Sequence, residues 1–597
     1  MSKRLTRQEA PVEQTWDLEG LYPTAAAWEA DLAKVDASLP ALGAYQGRLG
    51  DGSATLLACL NSYFATHELA SQVFWFAYNS CTVDQGNPTV AAQRDRAMAM
   101  LARFEAATAF IKPEILALPD GVVTQYLETE PGLALYRLYL TDILAEKEHM
   151  LGAEAEGVIA AMGELTEAPY IIWQNTTAAD IVFEPVKDEN GNLVPMSVAA
   201  MQRLLQSPDR SVRQAAYESA AKAFLAHKRT IAAAMATAQK RDVILAKLRK
   251  YPSALHAALN EGHLPVELFQ NLLRVSEAGA GHLRRYNEFR RKELGVERLQ
   301  GWDLSAPLDA DVDAEITYRD ACGMILKALA PLGPEYRAVL EQAIAGRWVD
   351  WADNEGKEAG AYSWGCYGYH PVIMMTWQGK IADAFTLAHE LGHTVHSVLS
   401  ARKQPYVYSD YTNFLAEMAS TTNELLLARY LLQTTTDRKV RRYVLTRALG
   451  AFTANFWGGS MMAALQQWMH ESVEKGESLT YESFTAAQVD VFKRWHGDTV
   501  EVTPEGMGAT WLRVLHHFRN FYSYQYATGI SAAAAFADAI LTEGEPAVKR
   551  YLGFLSSGSS AHPIEILKAA GLDMTTPAPL EAAVAYFGRL VDDLEKA

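Results

Sequence analysis

The chain has 597 residues, 49% hydrophobic and 21% charged, an ordinary globular composition that excludes a disordered or collagen-like polymer and is long enough for two or more lobes. Its formal net charge of −17 disfavours nucleic acid and anionic membranes as partners, because both reward a basic surface. The four cysteines, Cys59, Cys81, Cys322 and Cys366, are scattered without C-x-x-C spacing, which excludes a disulfide scaffold and a thiolate zinc site and points to a reducing compartment.

The polar start, Met1 to Ala10, lacks the apolar core of a signal peptide, and no run of about twenty apolar residues follows anywhere, so a cytoplasmic protein with no membrane span is expected. Thr15 to Pro23 reads as an extended or turning segment closed by proline. From Ala25 to about Pro119 apolar residues recur three and four apart, as at Leu56, Leu57, Leu60, Tyr63 and Phe64, which predicts helices packed on helices. Residues 120 to 165 continue helical. Two short apolar runs around Asp188-Glu-Asn-Gly-Asn192 then predict a β-hairpin, and helices resume from Ser197 to about Ala345. The expected division is a helical region at 1–119, a helical segment with the hairpin at 120–200, and a catalytic region at 201–597.

Asp350 to Trp377 is rich in glycine and tyrosine and ends in the apolar run Pro371 to Trp377, which reads as a strand. Glycines allow close backbone approach, and a strand edge can pair with an extended peptide through main-chain hydrogen bonds, so Gly365, Tyr367 and Gly368 are candidate substrate-binding residues.

The next stretch, Phe385-Thr-Leu-Ala-His-Glu-Leu-Gly-His-Thr-Val-His396, holds His389, Glu390 and His393 in the pattern His-Glu-x-x-His. Residues four apart share a helical face, so His389 and His393 can offer imidazole nitrogens to one metal ion, with Glu390 beside it as a proton acceptor. Zinc hydrolases use three protein ligands. His396 lies a further turn along and is read as a packed histidine. The better third ligand is Glu417, 28 residues after His389 and far enough for a second helix to return past the site. Glu424, two turns on along the same face, is placed to hydrogen-bond a ligand histidine's other nitrogen.

A last constellation is Leu515-His-His-Phe-Arg-Asn-Phe-Tyr-Ser-Tyr-Gln-Tyr-Ala-Thr-Gly529. An imidazole or phenol here could stabilise negative charge developing on a carbonyl oxygen. On a continuous helix His517 and Tyr524 would share a face to within about 20°, which makes them the favoured pair, with His516, Tyr522 and Tyr526 as further candidates.

These motifs, together with Gly360-Ala-Tyr-Ser, Phe414-Leu-Ala-Glu-Met-Ala-Ser, the opening Trp16-Asp-Leu-Glu-Gly-Leu-Tyr-Pro23 and the closing Leu555-Ser-Ser-Gly-Ser-Ser and Ala569-Ala-Gly-Leu-Asp573, resemble oligoendopeptidase F in the thimet-oligopeptidase-like family of zinc metallopeptidases, over nearly the whole chain. The resemblance implies a mainly α, two-lobed, clam-like fold around a deep central channel, with residues 120–200 part of the upper lobe and a small β-sheet near the zinc. It also implies one Zn²⁺ per chain held by His389, His393 and Glu417, with Glu390 as general base, and short unstructured oligopeptides as substrates. The family often has one histidine ahead of Phe-Tyr-x-Tyr, whereas this chain has His516 and His517, so the resemblance leaves the choice between them open. The expected activity is that of a zinc endopeptidase. The alternatives are an exopeptidase of carboxypeptidase or dipeptidyl carboxypeptidase type and a peptide-binding protein without catalysis. Oligomeric state has no signature in the sequence.

Overall fold

In a computed structural model, which describes residues 4–308 and 315–597, helices dominate and five short strands form two small sheets. Strands β1 (Val186–Lys187) and β2 (Leu193–Val194) pair antiparallel across the Asn-Gly turn, where Asp188 accepts hydrogen bonds from the Asn190 and Asn192 backbone at 2.9 and 2.8 Å. Strands β3 (Val349–Asp350), β4 (Tyr362–Cys366) and β5 (Tyr369–Met374) form the second sheet in the order β3-β5-β4, parallel then antiparallel. Residues 1–3 of the polar start, and 309–314 within the helical stretch expected up to Ala345, lie outside the described residues. No helix among the described residues is long and apolar enough to cross a membrane.

The chain forms two compact units, each assembled from three segments. One comprises Met1–Glu148, Ala314–Leu427 and Ala539–Ala570; the other comprises His149–Asp313, Ala428–Asp538 and Gly571–Ala597. These boundaries differ from the contiguous division at 119 and 200. The reason lies in packing, which joins segments far apart in sequence. In the first unit the helices Ala25–Gly43, Ser53–Thr82 and Pro88–Thr108 share a core of Trp28, Val35, Val73, Ala77 and Met100. Thr24 caps the first by accepting from the Ala27 N–H, and Pro88 opens the third at a position where its missing N–H costs nothing. The sheet seals the next layer: Trp16 and Leu18 from the N-terminal segment and Trp75 from Ser53–Thr82 pack on Cys366, Val372 and Met374.

On β3, Asp350 is fully buried and pairs with Arg7 at 2.5 Å and Lys357 at 2.7 Å. The Lys357 ammonium also donates to the carbonyls of Ala352 and Met375. A buried charge needs such partners, and their number pins the loop after β3 to the end of β5. The second unit has its own interior, with Trp457, Trp495 and Trp511 fully enclosed and a buried Arg213–Asp303 pair at 3.0 Å.

Candidate metal centre

The His-Glu-x-x-His stretch lies on the helix Ile381–Lys403, opened by Asp383, whose carboxylate accepts from the Lys380 and Gln378 backbone at 2.9 and 2.8 Å. Ala384, Leu387, Ala388, Leu391 and Val395 bury one face and leave His389 and His393 half-buried on another. The chain turns after Lys403 and returns as the helix Asn413–Thr434. The two helices meet at Gly392, where a Cβ would stand 2.6 Å from Ser420 Cα and 2.9 Å from the Ala419 carbonyl oxygen. Asn423, fully buried, donates to the Ala388 carbonyl at 2.9 Å and accepts from the Tyr336 hydroxyl at 2.7 Å, which holds this crossing in place.

The crossing brings three donors together. Ligand atoms of His389, His393 and Glu417 all lie within 4.8 Å of one another. Glu417 Oε2 is 3.3 Å from His389 Nε2 and 3.9 Å from His393 Nε2. Glu424 Oε1 stands 2.8 Å from His389 Nδ1, which directs the other nitrogen towards Glu417. Ser420 Oγ donates to Glu417 Oε2 at 3.2 Å. Two nitrogens and a carboxylate oxygen suit zinc, since tetrahedral ligands at about 2.0–2.1 Å from the ion stand about 3.4 Å apart. The donor set fits that ion in type and spacing.

The charges agree with a cation site. Burial alone disfavours charge on His389, yet the Glu417 and Glu424 carboxylates outweigh it and raise its pKa. Burial, with the neighbouring His389, lowers His393 to about 4. Glu390 is 5% exposed, and burial, assisted by the Glu417 and Glu424 charges, pushes it up to about 7 against the opposing pull of His389. Its carboxylate also takes a hydrogen bond from the Ser363 backbone on β4. A carboxylate near neutrality is matched to taking and returning a proton. His396 is stacked face to face on Tyr411, ring centroids 3.6 Å apart, as a packed side chain.

His389, Glu390, His393 and Glu417 open on a cavity of about 1180 Å³ within the first unit, whose wall also includes Gly365, Tyr367 and Gly368. Gly365 lies at the irregularity in the β4–β5 pairing, where a Cβ would be 2.9 Å from Ser397 Cβ, so its missing side chain serves the approach of β4 to the metal-motif helix. Gly368, at φ +81°, makes the turn between β4 and β5. Gln72 donates to the Tyr367 carbonyl at 2.9 Å, and the Tyr367 hydroxyl donates to the Gln404 carbonyl at 3.2 Å.

The stretch from Leu515 to Gly529 corrects one expectation, because it is not one helix. Leu515–Phe518 is a short 3₁₀ turn, Phe521 takes a left-handed φ of +46°, and the helix Tyr524–Glu543 begins only afterwards. His517 and Tyr524 therefore share no helical face. Both are buried in the second unit: the His517 ring is enclosed, and Tyr524 packs edge-on against Phe269. The partly exposed residues are His516, Tyr522 and Tyr526. Tyr526 Oη lies 2.9 Å from His516 Nε2, and Tyr522 stacks on the same imidazole at 5.7 Å. Reasoning from sequence also missed Ser363, Ser420 and Asn423. Of these only Ser420 carried a signal, three residues after Glu417 on one helix, since the others reach the site through tertiary contact.

Residues 203–586 match the model of peptidase family M3, and residues 114–183 match that of oligopeptidase F. The chain is 37% identical over 590 residues to oligopeptidase PepF of Bacillus subtilis (strain 168), covering 99% of this chain and 88% of that one. It superposes on a crystal structure from Chlamydophila abortus with a TM-score of 0.93 at 30% identity, covering 100% of both chains. Against oligoendopeptidase-F from Enterococcus faecium the TM-score is 0.74 at 31% identity, covering 95% of this chain and 98% of that one.

Proposed function

Because this chain belongs to peptidase family M3, we propose that it is a zinc-dependent endopeptidase that cleaves internal bonds of short unstructured oligopeptides, with Glu390 as its proton carrier. The observation carrying this reading is the convergence of His389, His393 and Glu417 beside the buried Glu390 in one cavity. His389, His393 and Glu417 would hold one zinc ion per chain, and Glu424 would fix the His389 ring and its tautomer. When bound, the ion supplies Lewis acidity, polarising a carbonyl and making water more acidic. Glu390 takes the proton from the attacking water and returns it to the nitrogen of the leaving amine. Its burial, and the Glu417 and Glu424 carboxylates nearby, favour a proton on Glu390 and so suit it to hold that proton between the two steps. The β4 segment and its turn, with Gly365, Tyr367 and Gly368, would lie along the peptide. The four free cysteines, all buried, support a reducing, cytoplasmic setting.

Within the second unit the partly exposed His516 and Tyr526, with Tyr522 stacked on that imidazole, replace the enclosed His517 and Tyr524 as the candidate hydrogen-bonding group of this stretch. For the reaction as a whole, Glu390→Gln should keep zinc, measured by metal analysis, while turnover of a doubly end-blocked peptide disappears. Near-normal cleavage by that variant overturns the proton-carrier role. Failure of the wild-type enzyme to cut a doubly blocked peptide while trimming a free-ended one turns the reading to an exopeptidase.

A further inference from the structure

The cavity that holds the metal ligands extends along the helix Ser53–Thr82 and the β4–β5 turn, where its wall becomes aromatic. We infer that the wall formed by Phe64, Phe74, Trp364, Tyr367 and Tyr406 is a subsite for a bulky aromatic side chain of the peptide, and that this subsite rejects an acidic one. The inference rests on the peptidase reading and adds which residue the enzyme favours.

Its first support is the way the polar atoms of this wall are occupied. Tyr406 Oη lies between His67 Nδ1 at 2.6 Å and Ser71 Oγ at 3.0 Å. The Tyr367 hydroxyl and carbonyl are bonded to Gln404 and Gln72, and the Trp364 carbonyl accepts from Trp75 Nε1 at 3.2 Å. Each of these hydrogen bonds goes to the protein itself, so the wall offers the cavity mainly ring surface. Within the wall two ring pairs form. Tyr367 meets Tyr406 edge-to-face at 5.3 Å, Tyr406 lies 5.8 Å from His67, and Phe74 meets Trp364 edge-to-face at 5.9 Å. An incoming aromatic ring can extend such an array with the edge-to-face geometry that ring quadrupoles favour.

A second support is charge. Glu68, Glu105 and Asp410 line the same cavity, and Arg402 is the one lysine or arginine among its lining residues. The Arg402 guanidinium already donates to Gln342 Oε1 at 3.2 Å. Burial lowers the His67 pKa, so its imidazole adds no positive charge near neutrality. A carboxylate entering this wall would leave water for ring faces that cannot replace its hydration, whereas a phenyl ring would leave water to meet apolar faces.

The test uses doubly end-blocked peptides that differ at one residue, with Phe, Ala or Asp placed at successive positions on both sides of the cleaved bond. At one position Phe should exceed Ala in kcat/KM by about tenfold or more, with Asp below Ala, since an apolar pocket discriminates at about this level. Phe74→Ala should shrink the Phe-to-Ala ratio at that position, and Phe64→Ala serves if the first variant does not fold. Equal kcat/KM for all three residues at every position overturns the inference, as does a ratio unchanged in the folded variants. Binding of the same peptides to zinc-loaded Glu390→Gln gives an affinity ratio that does not depend on turnover. Absence of cleavage by the wild-type enzyme with a persisting Phe preference in binding therefore ends the peptidase reading alone, while cleavage without preference ends this inference alone.

Discussion

Gly392 shows how much of the candidate metal centre rests on a residue that carries no chemistry. A methyl group there would lie 2.6 Å from Ser420 Cα, and backbone on a helix cannot yield as a side chain can. Gly392→Ala must push Ile381–Lys403 away from Asn413–Thr434, the helix that carries Glu417 and Glu424. Such overpacking costs about 1–3 kcal/mol, and the shift should also weaken zinc binding. Thermal unfolding and metal content report the two effects separately; a variant that keeps both overturns the crossing argument. The candidate ligands and Glu424 were legible as spacings, because His389 to His393 and Glu417 to Glu424 each lie on a single helix. Gly392 and Asn423 were not, since their meaning is a contact between two helices through residues 28 or more apart along the chain. His517 and Tyr524 misled for a related reason: their spacing of seven has a facial meaning only on an unbroken helix.

At the scale of elements, that break is held from outside. The Phe521 ring stacks on His470 at 4.4 Å and meets Phe269 edge-on at 5.5 Å, and this enclosure secures a φ of +46° that a bulky residue rarely adopts. The carbonyls of His516 and Arg519 both accept from Gln466 Nε2 at 3.0 Å, and that of His517 accepts from Gln239 Nε2 at 2.8 Å. Both glutamines are fully buried. The turn therefore takes its hydrogen bonds from two distant helices, which no local periodicity could announce, while the Asn-Gly hairpin and the strand before the metal-motif helix were readable because their signals are local. Gln466→Met keeps the volume and removes both donors, leaving the His516 and Arg519 carbonyls only their local bonds from the Arg519 and Tyr522 N–H groups. The expected cost is about 1 kcal/mol for each hydrogen bond lost. Faster amide hydrogen exchange across 515–523 would register it, with exchange in the helix Ile381–Lys403 unchanged. Unaltered exchange in the turn would show that the glutamines do not hold it.

At the scale of the whole molecule, each unit draws on three stretches of chain, so neither can be completed until late segments have been made. Length foretold a large protein and apolar periodicity foretold its helices, but neither can reveal interleaving, because long-range packing leaves no local trace. The second unit also encloses histidines in neutral form. Burial, with Arg284 nearby, lowers His496 to about 4, and burial, with His516 and His470, lowers His517 to about 3. His496 is 3% exposed, with Nδ1 facing the Asn287 amide nitrogen at 3.0 Å. In the unfolded chain both rings titrate near 6.5. Below that pH the unfolded state binds more protons than the folded one, so stability is fully present above about 6.5 and falls as pH drops towards the folded values. Each histidine contributes a slope of about 1.4 kcal/mol per pH unit in that window, or up to about 3 kcal/mol for His496 by pH 4. Carboxylates titrating below pH 5 add to the slope, so the informative range is pH 6.5 to 5. Denaturant unfolding there should show destabilisation on acidification, and His496→Gln should flatten it by close to one proton. A slope that is the same in the variant and the wild type would mean that His496 is protonated in the folded protein, against the burial that lowers its pKa.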